Sequence, residues 1–321
     1  MRKWVARLLL GTLAAVVLYA AFAAFADVRE LKASLLGFEP RALVLALALA
    51  LSGYVIRALR WRLYLHRMGV LVPAGREALG FAAGLAMGLA PGKSGQVVKA
   101  YYLQLATGLP YGVSVPATFA ERIADATSML LLLIVGLALA PRLDALPTLA
   151  ASALLIAALL AMRHPRAAEV ALRPLRRLRW VARHEASIVR GHAELRTHLT
   201  WRELAAPSAL GLVAFLFEAL ALQVLGAGLG VEVAFGTAVL AIALADLAGM
   251  LSLIPGGLGV AEGALVVVLA LHGLSLADAT ALALLFRACT LWFGLGIGAL
   301  AAGGLELQVR RRRRARLAAP P

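Results

Sequence analysis

Long apolar runs alternate with blocks of arginine along this chain, and that alternation leaves very few folds open to it. The runs lie roughly at 5–26, 41–58, 77–90, 111–120, 126–141, 146–162, 204–227, 235–254, 258–272 and 277–304. A helix needs about 20 apolar residues to cross a hydrocarbon core of about 30 Å, so the longer runs read as spanning helices. In lipid every backbone N–H and C=O must be paired within the structure, which favours helices throughout. Composition agrees: 62% of residues are hydrophobic and 15% charged, against about 45–50% and 25% in soluble domains. The expected fold is all-α: a polytopic integral membrane bundle of about 6–8 spanning helices, one domain over residues 1–304.

The chain carries 32 Lys and Arg against 17 Asp and Glu, a net charge of +15. Such charge gathers on cytoplasmic loops, where it sets orientation and meets anionic headgroups, so no nucleic-acid partner is expected. The blocks are Arg2, Lys3 and Arg7; Arg57, Arg60, Arg62 and Arg67; ten arginines from Arg163 to Arg202; and Arg310 to Arg314 with Arg316. All four are expected inside, with both termini cytoplasmic in a bacterial-type inner membrane. The segment 163–203 interleaves arginine with apolar residues, which suits interfacial helices or a solvated loop, and 305–321 reads as a basic cytoplasmic tail. The run from Leu8 to Ala26 follows three basic residues as a signal peptide would, yet its length suits a retained first helix. Cys289 is the one cysteine, so no disulfide or cysteine metal site is available.

Several runs are too short to span, and two of them end alike. Ala90-Pro91-Gly92-Lys93-Ser94-Gly95 aligns with Ile254-Pro255-Gly256-Gly257-Leu258-Gly259. The runs at 126–141 and 146–162 form a full hairpin between two inside blocks, so 77–120 crosses an even number of times. Two short pieces joined at Pro91-Gly92 suit a re-entrant pair from the cytoplasm. The segment 235–272 is either two spans or a second re-entrant pair facing outward, the second being preferred because of the echo. Inverted repeats with broken helices meeting near the midplane are a transporter architecture. The expected breaks are Pro91, Gly92, Gly95, Pro255, Gly256, Gly257 and Gly259.

Three motifs fail on spacing. Gly88 to Ser94 is one residue short of a phosphate-binding loop, since position 87 is Met87. His192, Glu194 and His198 place their histidines six apart rather than four, so no metal site is read there. Glu262 stands where a dinucleotide fingerprint needs its third glycine. No cofactor is expected. The pairs Gly84 and Gly88, Gly226 and Gly230, and Gly294 and Gly298 are read as close helix packing.

The informative residues are the charges within apolar runs: Lys93, Lys99, Glu121, Arg122, Asp125, Glu218, Asp246, Glu262 and Arg287. Each costs about 2.5–3.5 kcal/mol at the bilayer centre on insertion scales, so they are expected to face a polar cavity or one another. Glu121 and Asp125 share one helical face, with Arg122 beside them.

Four stretches then carry a family resemblance: PGKSGQVVKAYYL from Pro91, ERIAD from Glu121, IPGGLGVAEGALV from Ile254 and LALLFRACTLW from Leu282. The chain resembles the flippase-like family that includes the transmembrane region of lysylphosphatidylglycerol synthases. The family's first motif usually reads Pro-x-x-x-Gly-Glu-x-x-Arg, and here Gln96 and Lys99 take the Glu and Arg places. Gln96 removes a titratable group while still able to hydrogen-bond a lipid. The third motif often has Arg before Glu, where this chain has Ala261.

The resemblance implies a domain that moves amphipathic lipids between leaflets, with two re-entrant pairs meeting at a central polar cavity. It does not imply synthase activity, because aminoacyl transfer resides in a separate soluble domain and this chain ends at Pro321; no enzyme is expected. Lys93, Gln96, Lys99, Glu121, Arg122, Asp125, Glu262 and Arg287 are the expected cavity residues, with Glu218 and Asp246 as candidates for ion coupling. Expected partners are membrane lipids with an anionic or phosphate-bearing headgroup, and lipid-biosynthetic proteins. A secondary transporter of a small soluble substrate and an intramembrane lipid-modifying enzyme are the alternatives.

Overall fold

The computed structural model describes residues 32, 34–67, 69–86, 88, 104, 111–139, 145–175, 189, 193, 200–252 and 254–318, and every regular element among them is helical. In chain order these are α1 (Pro40–Arg67), α2 (Ala74–Leu85), α3 (Tyr111–Leu139), α4 (Ala145–Arg163), the short α5 (Ala167–Leu172), α6 (Trp201–Gly228), α7 (Phe235–Leu251), α8 (Val260–Leu271), α9 (Leu276–Arg287) and α10 (Phe293–Ala318). A 3-10 turn, Pro255–Gly257, separates α7 from α8, and a π turn, Ala288–Trp292, joins α9 to α10. Among the described residues, Pro40–Arg67, Ala120–Leu139, Arg202–Gly228 and Leu276–Gln308 are long and apolar enough to cross a membrane. The expected first helix and most of the basic segment 163–203 lie outside the described residues.

The packing of α1 on α6 sets the frame. At one end the Glu39 N–H donates to the Gly228 carbonyl at 2.9 Å, and at the other Arg67 Nη1 donates to the Glu203 carbonyl at 2.5 Å. The two helices therefore run antiparallel. Pro207 explains the second bond: proline has no N–H for the carbonyl four residues back, which is Glu203, and Arg67 supplies the missing donor. Thr200 caps the start of α6, its hydroxyl accepting the Glu203 N–H.

The pair α7 and α8 packs tightly on itself and against α3. A Cβ on Gly249 would lie 3.2 Å from the Ala261 Cβ, and one on Gly257 would lie 2.9 Å from the Gly249 Cα. A Cβ on Gly136 would lie 3.1 Å from the Leu240 Cβ, and one on Gly236 would lie 2.7 Å from the Leu139 backbone. At about 1.5 Å per residue α7 reaches about 25 Å and α8 about 18 Å. Each falls short of the roughly 30 Å core. Both outer ends of the pair sit at the Gly228 end of the frame: Gly226 packs against Val233, and Ser34 Oγ donates to Asp278 at 2.8 Å just after α8.

From the opposite end, α2 climbs toward the middle. Glu77 in its first turn is buried against α1, 3.5 Å from Arg62 Nε and 4.0 Å from His66 Nε2. Burial pushes its carboxyl above the usual range, and the two basic neighbours pull it back. Further along, a Cβ on Gly298 would collide with the Ala86 nitrogen, so α2 and α10 meet backbone to backbone. Gly294 likewise makes room for the Tyr54 hydroxyl, and both act as close packing positions. Gly226 and Gly230 do not: Gly230, at φ +77, lies in the turn after α6, so this pair closes a helix end rather than a helix interface.

Candidate functional site: a charge-paired cavity beside a helix break

Tyr54, Arg57 and Arg60 recur every third residue on α1 and so point the same way. The expectation that the Arg57 to Arg67 block belongs to a cytoplasmic loop is corrected here. The helix continues to Arg67 because α6 packs along its whole length, and only Arg62 and Arg67 remain at its outer end. Arg60 is 1% exposed and Arg57 18%.

Each inward guanidinium meets a carboxylate. Arg60 Nη2 lies 2.6 Å from Asp125 Oδ1 and 3.3 Å from Glu121 Oε1, and Arg122 Nη2 lies 2.9 Å from Asp125 Oδ2. The i, i+4 spacing on α3 thus places both acids on the face that meets α1. Gly211 on α6 leaves the space Arg60 occupies, since a Cβ there would lie 2.6 Å from Nη1 and collide with the Ser128 hydroxyl. Ser128 Oγ donates in turn to the Ser208 carbonyl at 2.8 Å.

One turn earlier, Arg57 Nη1 donates to Glu218 Oε1 on α6 at 2.6 Å, and its guanidinium stacks 5.1 Å from the centre of the Phe215 ring. Asp246 on α7 and Asp125 also act on Arg57 electrostatically. The two acids named as ion-coupling candidates are therefore gathered around one guanidinium.

The second break is fastened from within. Gly256 and Gly257 hold φ of 65 and 64, and Gly259 holds 82, conformations that residues with a Cβ rarely adopt. Glu262 Oε2 accepts the Gly259 N–H at 2.7 Å, half of a capping box at the start of α8. Its other oxygen accepts from Arg287 Nε at 2.7 Å, while Arg287 Nη2 donates to the Gly256 carbonyl at 2.5 Å. Glu262, 1% exposed, stands behind Arg287 and orients it. The π turn starts immediately after Arg287, and Tyr54 Oη donates to the Thr290 carbonyl within it. Such turns recur at functional sites because they shift side-chain directions locally.

These groups enclose a cavity of about 180 Å³. Four guanidiniums (Arg57, Arg60, Arg122 and Arg287) and four carboxylates (Glu121, Asp125, Glu218 and Asp246) line it among the described residues, so their formal charges cancel. Gly88, after the end of α2, and Gly256 and Gly257 of the second break also reach it. The ends of one helix entering from the Arg67 end and one pair entering from the Gly228 end therefore share a single polar space. Lys93, Gln96 and Lys99, with Pro91, Gly92 and Gly95 of the first break, lie outside the described residues.

Tyr54, Arg57, Arg60 and Phe215 are among the lining residues that sequence reasoning missed. A signal was present: two carboxylates, Glu121 and Glu218, have no basic residue three or four positions away that would pair them locally. Chemically, a polar group entering this space finds hydrogen-bond donors and acceptors already oriented by their own pairs.

A comparison with curated proteins returns no match. The family model described as the lysylphosphatidylglycerol synthase TM region matches residues 4–298, a span that takes in every charged group of the cavity and both breaks. With that match over almost the whole length, and with helices long and apolar enough to cross a bilayer, the chain belongs to this lipid-related family of integral membrane proteins.

Proposed function

We propose that the protein is a lipid flippase or scramblase, which passes the headgroup of an amphipathic lipid through the central cavity while the acyl chains stay in the bilayer. The observation that carries this reading is the cavity itself: eight charged side chains of balancing sign, most of them in ion pairs, in the middle of an apolar bundle beside the break between α7 and α8. A headgroup cannot cross dry hydrocarbon without losing its hydration, at a cost of several kcal/mol per polar group. A lining of fixed donors and acceptors offsets that cost. A phosphate-bearing headgroup is drawn by Arg57 and Arg287, with Lys93 and Lys99 of the first motif as further cations for it.

In this reading α7 and α8 form a re-entrant pair entering from outside, and the segment after α2 forms its inverted counterpart from the cytoplasm. With the run at 5–26 and α4 counted, about 6–8 helices span. The termini and the basic segments face the cytoplasm across a bacterial-type inner membrane. The protein acts as a carrier rather than an enzyme: its charged groups are spent on one another rather than on activating a nucleophile. Lipid-biosynthetic proteins would supply or receive the lipid.

The deciding experiment follows headgroup-labelled lipids across proteoliposomes. Arg57→Ala, Arg287→Ala and Glu262→Gln, compared at equal folded protein, are each expected to reduce movement about tenfold or more, the cost of losing one oriented charge-assisted contact. Unchanged movement in all three would sink the reading. The cavity volume favours one second reading, a transporter of a small soluble substrate, and solute uptake into the same vesicles without lipid movement would establish it instead.

A further inference from the structure

We infer that Tyr54 is a positioning residue: its hydroxyl holds the π turn that begins after Arg287 and so sets the direction in which that guanidinium meets the cavity; this rests on the translocation reading above. Arg287 closes α9 and makes two bonds at the break, to Glu262 at 2.7 Å and to the Gly256 carbonyl at 2.5 Å. Beyond the turn α10 is held elsewhere, because Gly298 meets the Ala86 backbone with no room for a Cβ. Each residue of an α-helix advances about 100° around the axis, and a π turn closes its hydrogen bonds over one residue more than an α turn. Arg287 and Gly298 therefore keep their separate partners only while the extra residue stays in the turn between them.

Tyr54 reaches this turn from the frame. It stands on α1 one turn before Arg57 and on the same face. Its Oη donates to the Thr290 carbonyl, its ring centre lies 6.4 Å from that of Phe293 at a tilt of 34°, and Gly294 leaves the space that the hydroxyl fills. Thr290 Oγ1 donates in turn to the Phe286 carbonyl at 2.8 Å, so the link runs from α1 through the turn to the residue before Arg287. A side chain inserted among the carbonyls of a helix is one cause of a local change in its ladder. Arg57 and Arg287 both act electrostatically on the Tyr54 hydroxyl. One hydroxyl thus keeps the two cations that draw the headgroup in register, Arg57 through its own helix and Arg287 through the turn.

Tyr54→Phe keeps the ring against Phe293 and removes only the hydroxyl. Tyr64→Phe is the matched control, since Tyr64 Oη donates from the same helix to the Ala120 carbonyl at 3.1 Å and does not line the cavity. Cys289 sits buried within the π turn and reports on it, because a buried thiol reacts only when its surroundings open. With N-ethylmaleimide in nanodiscs, Tyr54→Phe is expected to raise the rate of Cys289 alkylation about tenfold and Tyr64→Phe to leave it within about twofold. Arg287→Ala alone is expected to raise it about fivefold or more, by freeing the start of the turn. Since loss of the hydroxyl already releases Arg287, adding Arg287→Ala to Tyr54→Phe should raise the rate by less than about twofold further, as for residues that act as one unit. Rates that multiply in the double variant, an unchanged rate in Tyr54→Phe or in Arg287→Ala, or equal acceleration by the two tyrosine variants overturns the inference.

Labelled-lipid movement is the second readout. At equal folded protein, Tyr54→Phe is expected to slow it about fivefold or more and Tyr64→Phe to leave it within about twofold. Unchanged movement in Tyr54→Phe, or equal loss in both variants, also overturns the inference. A wild-type protein that moves no labelled lipid sinks the translocation reading alone, and the Cys289 rates still decide whether Tyr54 positions Arg287.

Discussion

Arg60 is buried at the junction of α1, α3 and α6, where it pairs with both Glu121 and Asp125. Buried ion pairs lose hydration on both sides, so removing one partner leaves a charge with nothing to replace the water it gave up, at about 3–5 kcal/mol. Arg60→Ala is expected to destabilise the protein by about that amount in thermal or denaturant unfolding, by taking a buried cation from Glu121, which is 1% exposed, and from Asp125. Combining it as Arg60→Met with Glu121→Gln and Asp125→Asn should recover most of the loss. A triple variant as unstable as Arg60→Ala would mean that packing against Gly211, rather than charge, holds the site. Which carboxylates Arg57 and Arg60 would meet was not readable in the linear sequence. Arg57 and Arg60 stand beside Arg62 and Arg67, and counting basic residues assigns all four to one loop. Their counter-charges lie on α3 and α6, and proximity between segments leaves no mark on the order of residues.

Elements were more legible than residues. The runs at 204–227, 235–254 and 258–272 became α6, α7 and α8 with shifts of a few residues at each end, and the Pro-Gly-Gly-Leu-Gly stretch became the break between α7 and α8. The run at 277–304 is also helical but hides the π turn, because an extra residue in a turn does not alter apolar periodicity enough to be seen. Two predictions belong to elements. Gly298→Val is expected to cost about 1–3 kcal/mol or more in unfolding stability by forcing α10 away from the Ala86 backbone, whereas Val at Gly296, which has open space, should be close to neutral. At the α1–α2 joint, Glu77 holds its proton more tightly folded than unfolded, so it stabilises the fold at low pH and that contribution is lost as pH rises through its folded value. Unfolding curves across the weakly acidic range should therefore show a slope that flattens in Glu77→Gln; an unchanged slope would assign it to other groups.

At the scale of the whole molecule, charge counting and geometry agree on which loops share an end. Leu139 and Gly236 touch, and Glu39 bonds to Gly228, so the start of α1 and the ends of α3 and α6 lie together, opposite Arg67 and Glu203. Single cysteines at Glu232 and Arg76, both exposed, are expected to react with impermeant reagents from opposite sides of a membrane vesicle. Labelling of both from one side would mean that α1 does not cross. The contact between Gly298 and Ala86 bears on how such a chain is made. The ribosome makes α2 well before α10, and although Glu77 and Phe81 can meet α1 at once, the helix that meets its backbone at Ala86 is α10. Until α10 arrives that end of α2 lacks this seat, and a later helix acts as the keystone that fixes an earlier one.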